Sequence, residues 1–314
     1  MASPPRFPLI DAPSPLHPLP RFGQALGGRV ELWAKREDLL PLAFGGNKLR
    51  NLEFLVGAAL ADGCDTLVTS GRRWSNHARL TAAAGARAGL AVHLVLSGPQ
   101  IDPPGPGIRL ARSFGATVHL LESADREERE AAVDRVAADI RATGGRPYVI
   151  GVGGTGAVGA QGQLEAALEL IEQAGEARTG FDRVVLPTAT GGTQAGLIVG
   201  ISDAIAVTGI VVARTAAELR PVIAETTAAL GSAIDPAAID LDERFIGDGY
   251  GRPTAEAREA ADLLARTEAI LVDPIYTAKA LAGLIAGVRS AAWDGRRVVF
   301  WHSGGLPGLF EPLD

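Results

Sequence analysis

The sequence predicts an α/β protein of two domains, each an open, mostly parallel sheet flanked by helices. Three observations carry that expectation. From residue 30 onward, short β-rich runs alternate with amphipathic, Ala-rich stretches, the pattern of repeated β-α-β units. The β-rich runs contain few alternating polar positions, as parallel strands do when helices cover both faces. A chain of 314 residues with 47% hydrophobic content is also long enough to bury about two domain cores.

Taken in order, strands are expected at 30–34, 66–70, 91–97 and 117–121, with a short buried strand opened by the core residue Tyr148. The helices between them are expected at 47–62, 75–89 and 107–115, followed by a charged helical run through Arg141. The second half repeats the alternation, with strands at 184–187, 210–213 and 298–301 and helices at 192–203, 216–230, 254–267 and 276–292. Pro- and Gly-rich stretches at 99–107 and 151–162 read as loops, and the second of them as the point where the chain leaves a smaller central domain. The expected division is a large domain of 1–51 plus 161–314 and a small domain of 52–160. Chemistry in such a fold gathers at the carboxyl ends of strands.

Charge and composition narrow the function. Thirty basic against 36 acidic residues give a formal charge of −6, so there is no basic field to gather phosphate backbones, and a nucleic-acid partner is not expected. The Pro-rich opening MASPPRFPLIDAPSPLHPLPRF has neither the cationic nor the apolar region of a secretory signal, and no apolar run reaches membrane-spanning length. A cytoplasmic protein without membrane contact is expected. Cys64 is the only cysteine; it excludes an internal disulfide and a Cys-rich metal site, and reads as a small packed residue.

Lysine usage focuses the search, because the chain has 27 arginines but only Lys35, Lys48 and Lys279, and only a lysine amine condenses with an aldehyde cofactor. Lys48 follows Gly45-Gly46-Asn47 at the start of a helical run, where the backbone can approach a ligand closely. The segment Thr188-Ala189-Thr190-Gly191-Gly192-Thr193 joins a β-run to a helix, so its amides and hydroxyls suit a phosphate. It is neither a Walker loop nor a dinucleotide fingerprint; its plain alternative is a tight turn. Ser75-Asn76-His77 opens a helix after a strand, where it serves as an N-cap or receives a carboxylate. No second ligand stands at metal spacing from His77, so no metal is expected. Tyr250 and Tyr276 lie in Gly- or Pro-marked loops and are either struts or candidate acids. The last strand runs into the close-approach turn His302-Ser303-Gly304-Gly305.

Lys35-Arg36-Glu37-Asp38, Gly-Gly-Asn-Lys48, Ser-Asn-His77, the Thr188–Thr193 loop, Gly-Tyr250-Gly, Asp-Pro-Ile-Tyr276-Thr and His-Ser-Gly-Gly305 together resemble the aminocyclopropane-carboxylate deaminase / D-cysteine desulfhydrase family over nearly the whole chain. The resemblance implies the tryptophan-synthase-β-like fold, pyridoxal 5′-phosphate as cofactor and a homodimer. It makes Lys48 the Schiff-base lysine and the base for the Cα proton. Ser75 and Asn76 would hold the substrate carboxylate and the cofactor's O3′ side. Thr188, Thr190, Gly191, Gly192 and Thr193 would cup the phosphate, while Trp74, His77, Tyr250 and Tyr276 would face a small amino-acid substrate. After the second tyrosine, ring-opening deaminases of the family carry glutamate facing the pyridine nitrogen. This chain has Thr277, which implies β-elimination to a keto acid and ammonia.

Three departures bear on the substrate. Asn51 stands where the family has a second lysine near the phosphate, Trp74 replaces a glutamine, and Arg72-Arg73 replace small residues. The arginine pair offers a place for an extra anionic group such as a sulfonate or second carboxylate. The alternatives left open are a sulfo-lyase acting on cysteate, an aminocyclopropane-carboxylate deaminase, a biosynthetic enzyme capturing the aminoacrylate, and a non-catalytic amino-acid or cofactor sensor. A nicotinamide dehydrogenase is disfavoured by the missing fingerprint.

Overall fold

The computed structural model describes residues 4–123, 125–201 and 205–313. An edge strand β1 (Leu16–Pro18) leads through α1 (Pro20–Ala25) into β2 (Glu31–Arg36), and α2 (Lys48–Ala61) carries the chain into a run of β-α units. These are β3 (Thr66–Arg72), α3 (Asn76–Ala88), β4 (Ala91–Ser97), α4 (Pro106–Ser113), β5 (Thr117–Leu121), α5 (Arg126–Ala142) and β6 (Pro147–Ile150). After α6 (Ala157–Glu176) come β7 (Arg183–Thr188), α7 (Gly192–Ile201), β8 (Ala206–Val211), α8 (Ala216–Ala229), β9 (Leu241–Asp242), α9 (Ala255–Glu268), α10 (Thr277–Arg289) and β10 (Arg297–His302).

Two sheets result, in the orders β1-β2-β10-β7-β8-β9 and β5-β4-β3-β6. Every pairing is parallel except β1 with β2. Pro18 sits on the edge strand, where a missing N–H costs no ladder bond. The apolar runs of the central strands are explained by the two-residue side-chain repeat. In β10, Val298 and Phe300 join the core under α9 and α10, whereas Val299 and Trp301 join the core under α6 and α7. In β7, Val185 goes to the first and Val184 and Leu186 to the second. The smaller sheet is covered in the same way by α2, α3 and α4 on one face and by α5, through Ala132 and Val133, on the other.

Two expectations need correction. The stretch 151–162 is not a loop throughout: a short 3-10 turn, Val152–Gly154, precedes α6, which begins at Ala157. A Cβ on Gly162 would lie 2.0 Å from the Arg50 carbonyl oxygen, so this glycine lets α6 cross α2 at close range instead of marking a turn. Strand β8 begins at Ala206, four residues before the expected start, because Thr208 and Gly209 sit inside it as buried ladder residues opposite Val185 and Leu186. The expected helix end at 202–203 lies outside the described residues. Among the described residues, no helix is long and apolar enough to cross a membrane.

Candidate active site

The carboxyl ends of β3, β6, β7, β8 and β10 face one chamber of about 370 Å³, a volume suited to a small-molecule ligand. Lys48, Ser75, Asn76, His77, Thr188, Thr190, Gly191, Thr193, Tyr250 and Tyr276 all line it. Ten residues spread over more than two hundred positions therefore meet in one place.

Lys48 is delivered there by a backbone contact. Gly46 and Gly304 take φ values of 123° and 97°, and a Cβ on Gly304 would come within 2.6 Å of the Gly46 Cα. The Asn47 amide donates to the Ser303 carbonyl at 3.0 Å. The start of α2 is thus locked to the turn after β10, which is why two glycine pairs far apart in sequence are needed together. Burial lowers the Lys48 ammonium from its ordinary value to about 8, so a substantial neutral fraction exists near neutral pH.

The other two lysines are committed elsewhere. Lys35 is fully buried and bonded to Glu169, to Gln173 at 2.6 Å and to the Ser14 carbonyl at 2.8 Å. Glu169 and Glu37 also grip Arg50. Lys279 donates to the carbonyls of Ile246 and Gly249 at 2.6 and 3.1 Å and so ties down the loop that carries Tyr250. Lys48 alone lines the chamber, and it has no hydrogen-bond partner among the described residues.

The start of α7 also borders the chamber, through Gly191, Thr193 and Gln194. Its first internal bond runs from the Ala195 amide to the Gly191 carbonyl at 2.9 Å, which leaves the amides of Gly192, Thr193 and Gln194 outside the helical ladder. Such an end favours negative charge. The Thr193 hydroxyl accepts from Asn47 Nδ2 at 2.9 Å, so its own proton remains available. Thr190 is bonded to Thr155 at 2.7 Å, and Thr188 to Gln194 at 2.8 Å.

Ser75 caps α3, its Oγ accepting from the Ala78 amide at 3.2 Å. The His77 tautomer follows from its neighbours. Thr69 Oγ1 donates to the Ile150 carbonyl at 2.8 Å, so it accepts from His77 Nε2 at 3.0 Å, leaving Nδ1 as a buried lone pair without a partner among the described residues. Burial and the Lys48 charge lower His77 to about 3; it is neutral at any working pH. Tyr250 and Tyr276 share a short hydroxyl–hydroxyl hydrogen bond, and burial raises both phenols.

Three expected positions lie outside the lining. Gly192 is buried in the first turn of α7. Trp74 packs behind Tyr250, with ring centroids 5.8 Å apart, and lines a separate cavity of about 190 Å³. Thr277 is fully buried; its hydroxyl donates to Asp273 Oδ1 at 2.6 Å and accepts from the Asp273 amide at 2.8 Å. The arginine pair also divides, since only Arg72 reaches the chamber, while Arg73 lines the cavity beside Trp74 and donates to the Pro312 carbonyl at 2.9 Å. Asn51 is fully buried, donating to the Gly154 carbonyl at 3.0 Å and accepting from Gln163 at 2.5 Å.

The sequence reading missed Asn47, Gln194, Ser303, Arg126, Arg129 and Arg214 as chamber residues. Asn47 and Ser303 lie inside the Gly-Gly-Asn-Lys48 and His302–Gly305 motifs and were within reach. The arginines lie in α5 and after β8 and carry no local signal.

A family model described as "Pyridoxal-phosphate dependent enzyme" matches residues 8–304. The chain belongs to this family. The enzyme is 41% identical, over 98% of its length and 95% of the relative's, to a D-cysteine desulfhydrase of Salmonella typhi, and equally to one of Salmonella newport (strain SL254). Among solved structures it is similar to an ACC deaminase homologue, with a TM-score of 0.90 and 32% identity, covering 98% of this chain and 94% of that one. It shares its fold with serine racemase from Dictyostelium discoideum, with a TM-score of 0.67 and 19% identity over 94% and 92% of the two chains. It is a pyridoxal-phosphate-dependent lyase in the branch of aminocyclopropane-carboxylate deaminase and D-cysteine desulfhydrase. The chamber fits the cofactor: one free lysine amine stands across from a helix end with three unladdered amides and two threonine hydroxyls.

Proposed function

We propose that this enzyme removes the β-substituent of a small β-substituted alanine, as a D-cysteine desulfhydrase does, and releases a keto acid and ammonia. The observation that carries this reading is the single uncommitted lysine in the chamber, Lys48, with its ammonium lowered to about 8.

Lys48 would hold the aldehyde carbon, and Thr188, Thr190, Gly191, Gly192 and Thr193 the phosphate. When bound, the cofactor supplies an electron sink for the charge left at Cα. Lys48 would also serve as a base matched to neutral pH for the substrate's Cα proton. Ser75 and Asn76, which line the same chamber as Lys48, would hold the substrate carboxylate and the O3′ side of the cofactor. The Tyr250–Tyr276 pair, both phenols protonated, stands ready as a donor to the departing group.

Thr277 supports elimination over ring opening. Its hydroxyl, fully buried outside the chamber lining, donates to Asp273 Oδ1 and accepts from the Asp273 amide, and it brings no full negative charge of the kind a glutamate would supply to keep a ring nitrogen protonated. Arg214, two residues beyond the Val212 amide that bonds the Thr188 carbonyl at 3.1 Å, supplies the phosphate charge that Asn51 lacks. The chain works as a cytoplasmic homodimer with residues 52–160 as its small domain.

The test is a panel of D- and L-cysteine, β-chloroalanine and aminocyclopropane carboxylate, scored for keto acid, alongside the visible spectrum. Elimination from the β-substituted amino acids, with both the activity and the cofactor band lost in Lys48→Ala, is expected. Turnover of the cyclopropane alone would refute the assignment to elimination.

A further inference from the structure

Arg79, in the first turn of α3, is only 1% exposed and does not line the chamber. Its acceptors are all neutral: the Ala43 carbonyl, the Gly45 carbonyl at 3.4 Å and Asn76 Oδ1 at 3.3 Å. Its Nε is buried with no partner, and no carboxylate meets it among the described residues. Burial lowers the guanidinium to about 10, so it keeps its charge at neutral pH. A buried cation without a counter-ion opposes folding, so its use lies in what it holds in place.

It holds two things. The first is the bend that leads into α2. Residues 43–46 take left-handed φ in succession, 50° at Ala43, 66° at Phe44, 63° at Gly45 and 123° at Gly46. Ala43 and Phe44 are not glycines and are strained in that region. Phe44 is also 58% exposed, so packing of its ring does not fix the bend. Arg79 bonds the carbonyls on either side of Phe44, and Lys48 follows three residues after the second. The second thing held is Asn76, which lines the chamber. A guanidinium only donates, so the Asn76 atom that it meets is the oxygen. The amide nitrogen is thereby left for a ligand.

We propose that Arg79 is a positioning residue, whose one guanidinium both holds the bend that delivers Lys48 and turns Asn76 so that its amide nitrogen meets the cofactor. This rests on the reading that places Asn76 at the O3′ side of pyridoxal phosphate. Arg79 itself touches neither cofactor nor substrate. It acts through the helix residue three positions before it and through a loop more than thirty positions away, joining α3 to the start of α2.

The experiment takes the full chain freed of cofactor and measures, by equilibrium dialysis, its affinities for pyridoxal phosphate and for the 3-deoxy analogue, which lacks that oxygen. The ratio of the two affinities should fall about tenfold in Asn76→Ala and in Arg79→Met, and no further in the double variant. Arg79→Lys keeps the charge but not the planar fork that spans three acceptors; its ratio should fall as well, and it carries the test if Arg79→Met fails to fold. Chymotrypsin should cut after Phe44 at least about tenfold faster in the Arg79 variants than in the wild type, and at the wild-type rate in Asn76→Ala. An unmoved ratio in Asn76→Ala would remove the placement of Asn76 at the cofactor, and this use of Arg79 with it. A fall in Asn76→Ala with none in the Arg79 variants overturns the proposal alone and leaves that placement standing. Equal loss of affinity for both cofactors in the Arg79 variants would mark a merely structural arginine, and unchanged cleavage after Phe44 a bend that holds itself; either overturns the proposal.

Discussion

Lys48 shows how burial sets chemistry at a single residue. A solvated lysine is almost wholly protonated at neutral pH, whereas one whose ammonium is lowered to about 8 holds about a tenth of its amines neutral at pH 7. The neutral amine is the form that attacks an aldehyde, so capture of pyridoxal phosphate by the apoenzyme should speed up as pH rises and level off above about 8. Development of the visible band, followed by stopped flow across pH 6 to about 9.5, checks this; a rate independent of pH would show that burial does not control the amine. The linkage has the same sign. The unfolded lysine titrates near 10.5, so folding expels its proton between about 8 and that value, and this residue's cost to apoenzyme stability is relieved as pH rises through the interval. The neighbouring His77 needs no such adjustment, since it is held neutral far below any working pH.

At the scale of elements, what matters is how α2 is aimed. Its first residue is Lys48, and its flank rests on α6 where Gly162 meets the Arg50 carbonyl. Gly162→Ala places a methyl group against backbone that cannot yield, and should cost about 1–3 kcal/mol, measured as a lowered midpoint in chemical denaturation. An unchanged midpoint would mean that α2 and α6 slide freely and that the lysine is positioned by the glycine turns alone. The glycines at 151–162 read as a loop because glycine is a breaker in an isolated segment. Their actual use, close helix crossing, depends on a partner more than a hundred residues away. By contrast, strands at 91–97 and 117–121 were legible to the residue, because their β-branched and leucine runs are bounded by turn residues and need no distant partner to be recognised.

At the scale of the molecule, two parallel sheets bring their carboxyl ends to one chamber, and net charge is distributed unevenly over the result. In a chain of net −6, five basic residues line the chamber and, among the described residues, no Asp or Glu does. Such a lining favours anionic ligands, by an attraction that salt screens. The proposed homodimer makes a separate expectation, a sedimentation-equilibrium mass of twice 32.5 kDa. A mass of 32.5 kDa at micromolar concentration would remove it.

The family and the cofactor were legible in the sequence because seven short motifs in register together resemble one family, whereas an amine after two glycines or a hydroxyl-rich strand-to-helix turn is a weak signal taken singly; the role of Lys48 was an expectation from that resemblance. Only the tertiary structure separated Arg72 from Arg73, moved Trp74 out of the chamber and brought Arg129 in. Neighbouring residues on a strand end point to opposite sides, and a charged helix reads as solvated until the sheet that it packs against fixes which of its side chains turn inward.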